Sequence, residues 1–232
     1  MKKIEPSPFI VLRRLKEKAN PDNLGGMARF GITIDSRLGV SVPDMRKMAK
    51  EFTGDHRLAL ELWKTGIDEA RILSSMIDDP EQVTQKQGEK WVKDFNSWDV
   101  CDQVCMNLFG KTPWAYPKII KWAGRKEEFI KRAAFSLMAC LACHDKKAPD
   151  ENFIKLFSLL RQGATDERNF VRKAVNWALR NIGKRNIRLN RAALQLAEEI
   201  GRIDSKSARW IASDAIRELK SNAVQQRLKK DE

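Results

Sequence analysis

The sequence is short of the residues on which several kinds of enzyme site depend. Its 232 residues include 2 histidines and 4 cysteines, and His56 and His144 lie far apart in the chain. It has no phosphate-binding glycine loop, no dinucleotide-binding motif and no serine-hydrolase motif. We therefore predict neither a histidine-based nucleophilic site nor a zinc site. We expect no metal and no cofactor.

Long apolar segments and strand signals are also scarce. The longest mostly apolar run, 133–143, is too short to span a bilayer and is typical of a buried helix. Residues 1–6 carry charge but no apolar segment, so we expect no signal peptide and a cytoplasmic location with reduced cysteines. A single tyrosine, short β-branched runs and missing Asn-Gly or Asp-Gly turns argue against a β-protein.

Helix signals, by contrast, recur along the whole chain. A proline followed by an acidic residue opens segments at Pro43, Pro80 and Pro149, and glycines stand where the helices would end. We expect about a dozen helices of roughly ten to eighteen residues, joined by short loops.

Three of the expected helices share a register. Ala133, Ala174 and Ala212 occupy similar segments and lie 41 and 38 residues apart, although the third segment is a looser match. A further predicted helix precedes each of them, at 113–124, 149–162 and 187–201. One helix pair about every 40 residues is the period of HEAT and armadillo repeats, in which stacked pairs bury a shared core.

We therefore predict an all-α protein, an α-solenoid of stacked antiparallel helix pairs (HEAT-like repeats) with a concave basic groove. It would form a single domain over 1–232, with 1–20 and 221–232 at its periphery. Because the third repeat is loose, an irregular helical bundle remains the alternative.

The net charge of +13 is concentrated in the second half of the chain. Residues 1–116 hold 18 basic and 17 acidic side chains, whereas residues 117–232 hold 26 and 14. Such an excess points to a polyanion, either nucleic acid or an anionic membrane surface. The membrane is the weaker prediction, because the most basic helix has no large apolar face beside its charges.

That helix follows Arg168, and no acidic residue occurs from there to Ala197. Its positions 171, 174, 175, 178 and 182 form a narrow apolar stripe. On nearly the opposite side are four residues that step by four, three and four: Lys173, Trp177, Arg180 and Lys184.

A run of charge is usually a solvated face, but an indole among cations suits a nucleic acid. The cations neutralise phosphates and the ring packs on a sugar or base. The repeat register pairs Lys131 with Arg172 and Arg132 with Lys173, so we predict that these cations line one groove.

The other informative segment contains an acid. Ser97 or Asp99 is placed to cap the helix that begins there, and Val100 and Val104 mark its core side. Trp98 and Asp102 are four residues apart and share the other side. An arbitrary aspartate is most often a cap or a salt-bridge partner. The functional alternative is a carboxylate beside an indole, which suits a cationic substrate or a transition state that develops positive charge.

These segments, taken together, resemble the AlkD-type DNA alkylation repair proteins. The resemblance covers about residues 20 to 220, and it rests on the order and spacing of several motifs rather than on any single one. The segments that carry it are 27–30, 39–45, 96–103, 129–141 and 170–180.

The resemblance implies a solenoid of HEAT-like helix pairs and a monofunctional glycosylase that removes N3- and N7-alkylated purines from DNA. Position by position, Asp102 matches the catalytic carboxylate, and Trp98 and Trp177 match the aromatic walls beside the lesion. Arg132 matches a groove arginine and Arg180 an arginine that contacts DNA.

Two positions depart from the family pattern. Phe30 stands where a tyrosine is seen, so the ring is kept and the hydroxyl is lost. Ser97 stands where a second tryptophan can occur. Both departures bear on substrate range and rate more than on the fold, and some members of the family bind DNA without obvious excision.

We predict a DNA repair enzyme that acts as a monomer on double-stranded DNA containing alkylated bases, in the cytoplasm and at the nucleoid, with no membrane partner. Asp102 would be catalytic, and Trp98, Trp177, Phe30 and Arg132 would bind the substrate. The phosphate contacts would come from Lys131, Arg172, Lys173, Arg180 and Lys184. The alternatives are a non-catalytic module for bent, branched or damaged DNA and, less in keeping with the charge, a protein-binding solenoid.

Overall fold

The chain is helical throughout the part that the structure describes. A computed structural model describes residues 7–230, and the regular elements in that range are helices without strands. Residues 1–6, for which we expect no signal peptide, and residues 231–232 of the predicted periphery lie outside the described residues. None of the described helices is long and apolar enough to cross a membrane.

The chain divides into two compact units, Met1–Pro113 and Trp114–Glu232. The first unit contains the α-helices α1 Pro8–Glu17, α2 Asp22–Arg29, α3 Val42–Ala49, α4 His56–Trp63, α5 Asp68–Ile77, α6 Gln85–Trp91 and α7 Trp98–Asn107. It also contains the short 3-10 helices Val92–Asp94 and Phe109–Lys111. The second unit contains α8 Ala115–Ala123, α9 Glu128–His144, α10 Asp150–Ile154, α11 Phe157–Gly163, α12 Asn169–Gly183, α13 Ile187–Gly201, α14 Lys206–Leu219 and α15 Asn222–Lys230.

In the first unit, helix α5 is the central element and packs against α1, α3, α4 and α7. Its side chains Ile72, Leu73 and Ile77 are fully buried. The loop before α3 depends on a glycine: Gly39 has φ +77°, and a Cβ there would lie 2.1 Å from the carbonyl oxygen of Asn20. Any side chain at position 39 would therefore displace the start of the unit.

The second unit is built from successive helix pairs. Helix α8 packs on α9 and α13 packs on α14, while α10 and α11 together precede α12. The second helices of the pairs also pack on one another, α9 on α12 and α12 on α14. The pairs stand at the predicted places, except that the helix expected over 149–162 is interrupted between α10 and α11.

The shared register explains why these helices can stack closely. Ala133 and Ala174 are fully buried and Ala212 nearly so, which lets the neighbouring helices approach one another. Gly163, at the end of α11, has the same role: a Cβ there would lie 2.4 Å from the ring of Phe135 on α9. Small buried residues thus allow the close spacing of these helices.

Candidate nucleic-acid interface

Helix α7 carries the predicted catalytic acid. Its apolar stripe is confirmed, because Val100, Val104 and Leu108 are fully buried. Asp102 lies on the other side of the helix and is half-buried, one turn after Trp98. A carboxylate in this position is partly withdrawn from water while its backbone is held by the packed helix.

The start of α7 is fixed by a residue that the sequence alone did not single out. Arg37 is buried, and its guanidinium pairs with Asp99 at 2.7 Å (Nη1 to Oδ2) and with Asp68 at 3.3 Å (Nε to Oδ2). It also donates hydrogen bonds to the hydroxyl of Ser97 and the carbonyl of Thr33. One buried cation therefore joins α5 to the first turn of the helix that carries Asp102.

Ser97 and Asp99 serve this network rather than the helix end. Ser97 occupies the N-cap position of α7, but its side chain accepts no hydrogen bond from the first turn. Its hydroxyl donates to Asp99 instead, and both contact Arg37. The expected capping role is therefore not seen for either side chain, because Arg37 supplies a stronger, charged partner.

Asp68 is the fully buried carboxylate of the network. Burial raises the pKa of the Asp68 carboxyl above its usual range, and the nearby cation Arg37 and the hydrogen bonds from Ser36 and Asn96 oppose that rise. Asn96 is in turn held by Thr33, whose hydroxyl donates to the Asn96 carbonyl at 2.9 Å. The residues just before Trp98 are thereby locked to the core of the unit.

The two aromatic residues predicted in this unit are brought together. The indole nitrogen of Trp98 donates a hydrogen bond to the carbonyl oxygen of Phe30 at 3.1 Å. The ring of Phe30 is 76% exposed, while Trp98 is half-buried. A large apolar ring is thus exposed at the end of α2, next to the start of α7.

In the second unit, the predicted cations of α9 are held by neighbouring groups. Arg132 is buried, and its Nη1 donates to the carbonyl of Phe170. Lys131 pairs with Asp166 at 2.9 Å. Although partial burial alone would raise the pKa of the Asp166 carboxyl, the hydrogen bonds from Arg168 and Lys131 hold it far below its usual range.

Two of the predicted cations at the C-terminal end of α12 also form ion pairs. Arg180 forms ion pairs with Glu218 and, at 3.4 Å, with Asp214; Lys184 pairs with Glu218 at 2.7 Å. Lys173 is exposed and Trp177 is half-buried. The acid-free run from Arg168 to Ala197 therefore does not give an acid-free surface, because α14 supplies the carboxylates.

Glu218 is the centre of this cluster. Burial would raise the pKa of its carboxyl, but Lys184 and Arg180 outweigh burial and lower it. At neutral pH Glu218 is therefore charged. It partly neutralises the two cations, and an approaching phosphate would have to compete with it.

Register is the signal that connects these partners. Arg180 and Glu218 are 38 residues apart, the interval between Ala174 and Ala212. The same interval joins Arg172 to Trp210, whose ring lies 5.1 Å from the Arg172 guanidinium carbon. The Ala174–Ala212 register, applied to the side chains of α12, indicates these neighbours from the sequence, since equivalent residues of stacked repeats lie side by side.

The predicted site residues thus fall into two groups. Phe30, Trp98 and Asp102 belong to the first unit, where α2 and α7 hold them. The second unit holds the remaining seven on α9, on α12 and at the C-cap of α12: Lys131, Arg132, Arg172, Lys173, Trp177, Arg180 and Lys184.

Comparison with known proteins agrees with this architecture. A family model described as "DNA alkylation repair enzyme" matches residues 11–219. No curated protein sequence matches the chain.

Among solved structures, one is described as "a new family of proteins related to the HEAT-like repeat DNA glycosylases with affinity for branched DNA structures". It matches with a TM-score of 0.76 at 18% identity, over 91% of this chain and 95% of that one. This likeness confirms the predicted fold. A designed armadillo repeat protein matches with a TM-score of 0.37 at 16% identity, over 76% of this chain and 92% of that one.

Proposed function

Because the chain belongs to the DNA alkylation repair enzyme family, we propose that it is a DNA glycosylase that hydrolyses the N-glycosidic bond of N3- and N7-alkylated purines. The observation that carries the proposal is Asp102. It is a half-buried carboxylate on the non-core side of α7, one turn from the indole of Trp98.

Hydrolysis of such a glycosidic bond requires few catalytic groups. An N3- or N7-alkylpurine is positively charged and leaves without being protonated, so no general acid is needed. The remaining tasks are to stabilise the positive charge that develops on the sugar and to orient a water molecule, and one carboxylate performs both. The rings of Trp98 and Phe30 would attract the cationic base through their faces.

The basic residues of α9 and α12 would hold the DNA backbone. Lys173 is exposed and reaches a phosphate directly, whereas Arg180 and Lys184 would exchange Glu218 for a phosphate oxygen. Counterion release from the DNA favours that exchange, and it makes binding strongly salt-dependent. Arg132 would contact the DNA substrate from its buried position beside Phe170.

The test is release of 7-methylguanine and 3-methyladenine from methylated duplex DNA, measured by chromatography. We expect Asp102→Asn to lower the rate by about 100-fold or more, as expected when a charge that stabilises the transition state is removed. Asp204→Asn, the same chemical change at an exposed carboxylate on the second unit, is the matched control and should release base at the wild-type rate. Equal rates for wild type and Asp102→Asn would remove Asp102 from the mechanism.

A second candidate function is binding of branched DNA without excision. It is favoured by the fold likeness to the solved structure described as having affinity for branched DNA, and by the departures at Phe30 and Ser97. This function predicts tighter binding to a four-way junction than to a duplex of equal length, with no base released from methylated DNA. Base release that depends on Asp102 would support the glycosylase function and exclude binding without excision.

A further inference from the structure

A pocket next to the cations of α12 is lined by basic side chains, and it shares Lys184 with the proposed DNA contacts. It has a volume of about 340 Å³ and lies at the C-terminal ends of α9 and α12, beside α15. Four of its lining side chains are cations, and none is a carboxylate: Lys146, Lys184, Arg185 and Arg227. The side chain of Asn181 adds a neutral polar group.

Two of the cations are held in place by the backbone around them. Arg185 donates from Nη1 to the carbonyl of Ala142 at 2.7 Å and from Nη2 to that of Ala148 at 3.3 Å, and it lies over the Phe153 ring at 4.3 Å. Its Nε is buried with no hydrogen-bond partner. Arg227 donates to the carbonyl of Lys184, which ties α15 to the end of α12.

The charge in the pocket exceeds what the fold needs. The C-terminal ends of α9 and α12 each carry a partial negative charge of about one half, and Glu218 adds one full negative charge at Lys184. The Asp145 carboxylate at the end of α9, whose Oδ1 accepts from the Ala148 backbone N–H, adds another, so the four cations leave an excess of about one positive charge. A concavity with that excess attracts a small anion or part of a polyanion.

We propose that this pocket binds a phosphate group. Guanidinium groups donate charge-assisted hydrogen bonds to phosphate oxygens, and ammonium groups such as that of Lys146 add point charge. A volume of about 340 Å³ holds a phosphate together with an attached sugar. The group comes either from a DNA strand or from a free phosphorylated compound. The proposal goes beyond the glycosylase function and does not depend on it.

The test pairs two double variants of the full chain. Lys146→Gln/Arg227→Gln removes two pocket cations. Lys147→Gln/Lys229→Gln removes the same charge from exposed positions next to them that do not line the pocket. Inorganic phosphate and pyrophosphate are the probes, with binding measured by calorimetry. We expect the pocket variant to bind pyrophosphate about ten-fold or more weakly than wild type, and the control within two-fold of wild type.

A second arm identifies the source of the phosphate. Binding of unmodified duplex DNA is measured over a range of salt concentrations. If the pocket holds a DNA strand, the slope of log affinity against log salt falls by about two in the pocket variant and by less in the control. An unchanged slope with weakened pyrophosphate binding would instead assign the pocket to a free phosphorylated compound.

Equal behaviour of the two double variants toward pyrophosphate would overturn the proposal, because the effect would then come from net charge alone. Lys146→Gln by itself guards against misfolding, since the Lys146 side chain is exposed. It should show a smaller loss in the same direction. Neither arm uses an alkylated base, so failure of the glycosylase proposal leaves the result intact.

Discussion

Replacing Arg37 with methionine tests whether a single buried cation holds the start of α7. Methionine keeps most of the side-chain length and the apolar contacts but removes the charge. The change leaves Asp68, which is fully buried, without its nearest ion-pair partner, and it frees Asp99 and Ser97 at the first turn of α7.

The structure sets the expected size of the effect. Breaking a buried ion pair by removing one partner costs about 3–5 kcal/mol, since the remaining charge stays buried. Asp68 would keep Arg71 at 3.7 Å and its hydrogen bonds from Ser36 and Asn96. We therefore expect Arg37→Met to lower the free energy of unfolding by about 3 kcal/mol, the lower end of that range.

Urea unfolding followed by circular dichroism measures that loss, with Arg14→Met as the matched control. Arg14 forms a similar two-bond pair with Glu51, at 2.7 Å for each bond, but both side chains are partly exposed. Water replaces a partner that is lost at an exposed site, so the control should lose much less stability than Arg37→Met. Equal losses in the two variants would refute the network as the element that holds α7.

The same variant makes a prediction about pH. Burial raises the pKa of Asp68, so the folded chain holds this proton more tightly than the unfolded chain does. The resulting stabilisation is present at low pH and is lost as the pH rises through the folded pKa. Without Arg37, which opposes the rise, the folded pKa moves further upward. The stability gap between Arg37→Met and wild type should therefore be smaller at pH 5 than at pH 7.5; a gap that widens on acidification would contradict this.

Two further predictions concern the second unit. Glu218→Gln removes the carboxylate that competes for Arg180, so DNA should bind about two- to five-fold more tightly in a fluorescence anisotropy titration, and weaker binding would exclude that competition. Gly163→Ala forces a Cβ against Phe135 and should cost about 1–3 kcal/mol in thermal unfolding, whereas Gly124→Ala, with open space around it, should leave the midpoint unchanged or slightly raised.

Much of the fold follows from local sequence. The helix pairs, the buried stripe of α7 and the buried alanines all stand where periodicity predicts them. The break between α10 and α11 was not predicted. The roles of Ser97 and Asp99 were also different from those expected, because a buried arginine from another part of the chain outcompetes the local cap.

The sequence by itself determined the helical class, the places of the helix pairs in the second unit, the buried faces of α7 and α12, the spacing of the repeats and the excess of positive charge. Each of these depends on residues close together in the chain or on a simple count. Only the tertiary structure decided that Glu218 neutralises part of the α12 cations, that Arg37 holds the start of α7, and that four cations meet in a pocket beside α15. These pairings join residues between about 30 and 80 positions apart, and they form only when stacked helices bring separate side chains within reach of one another.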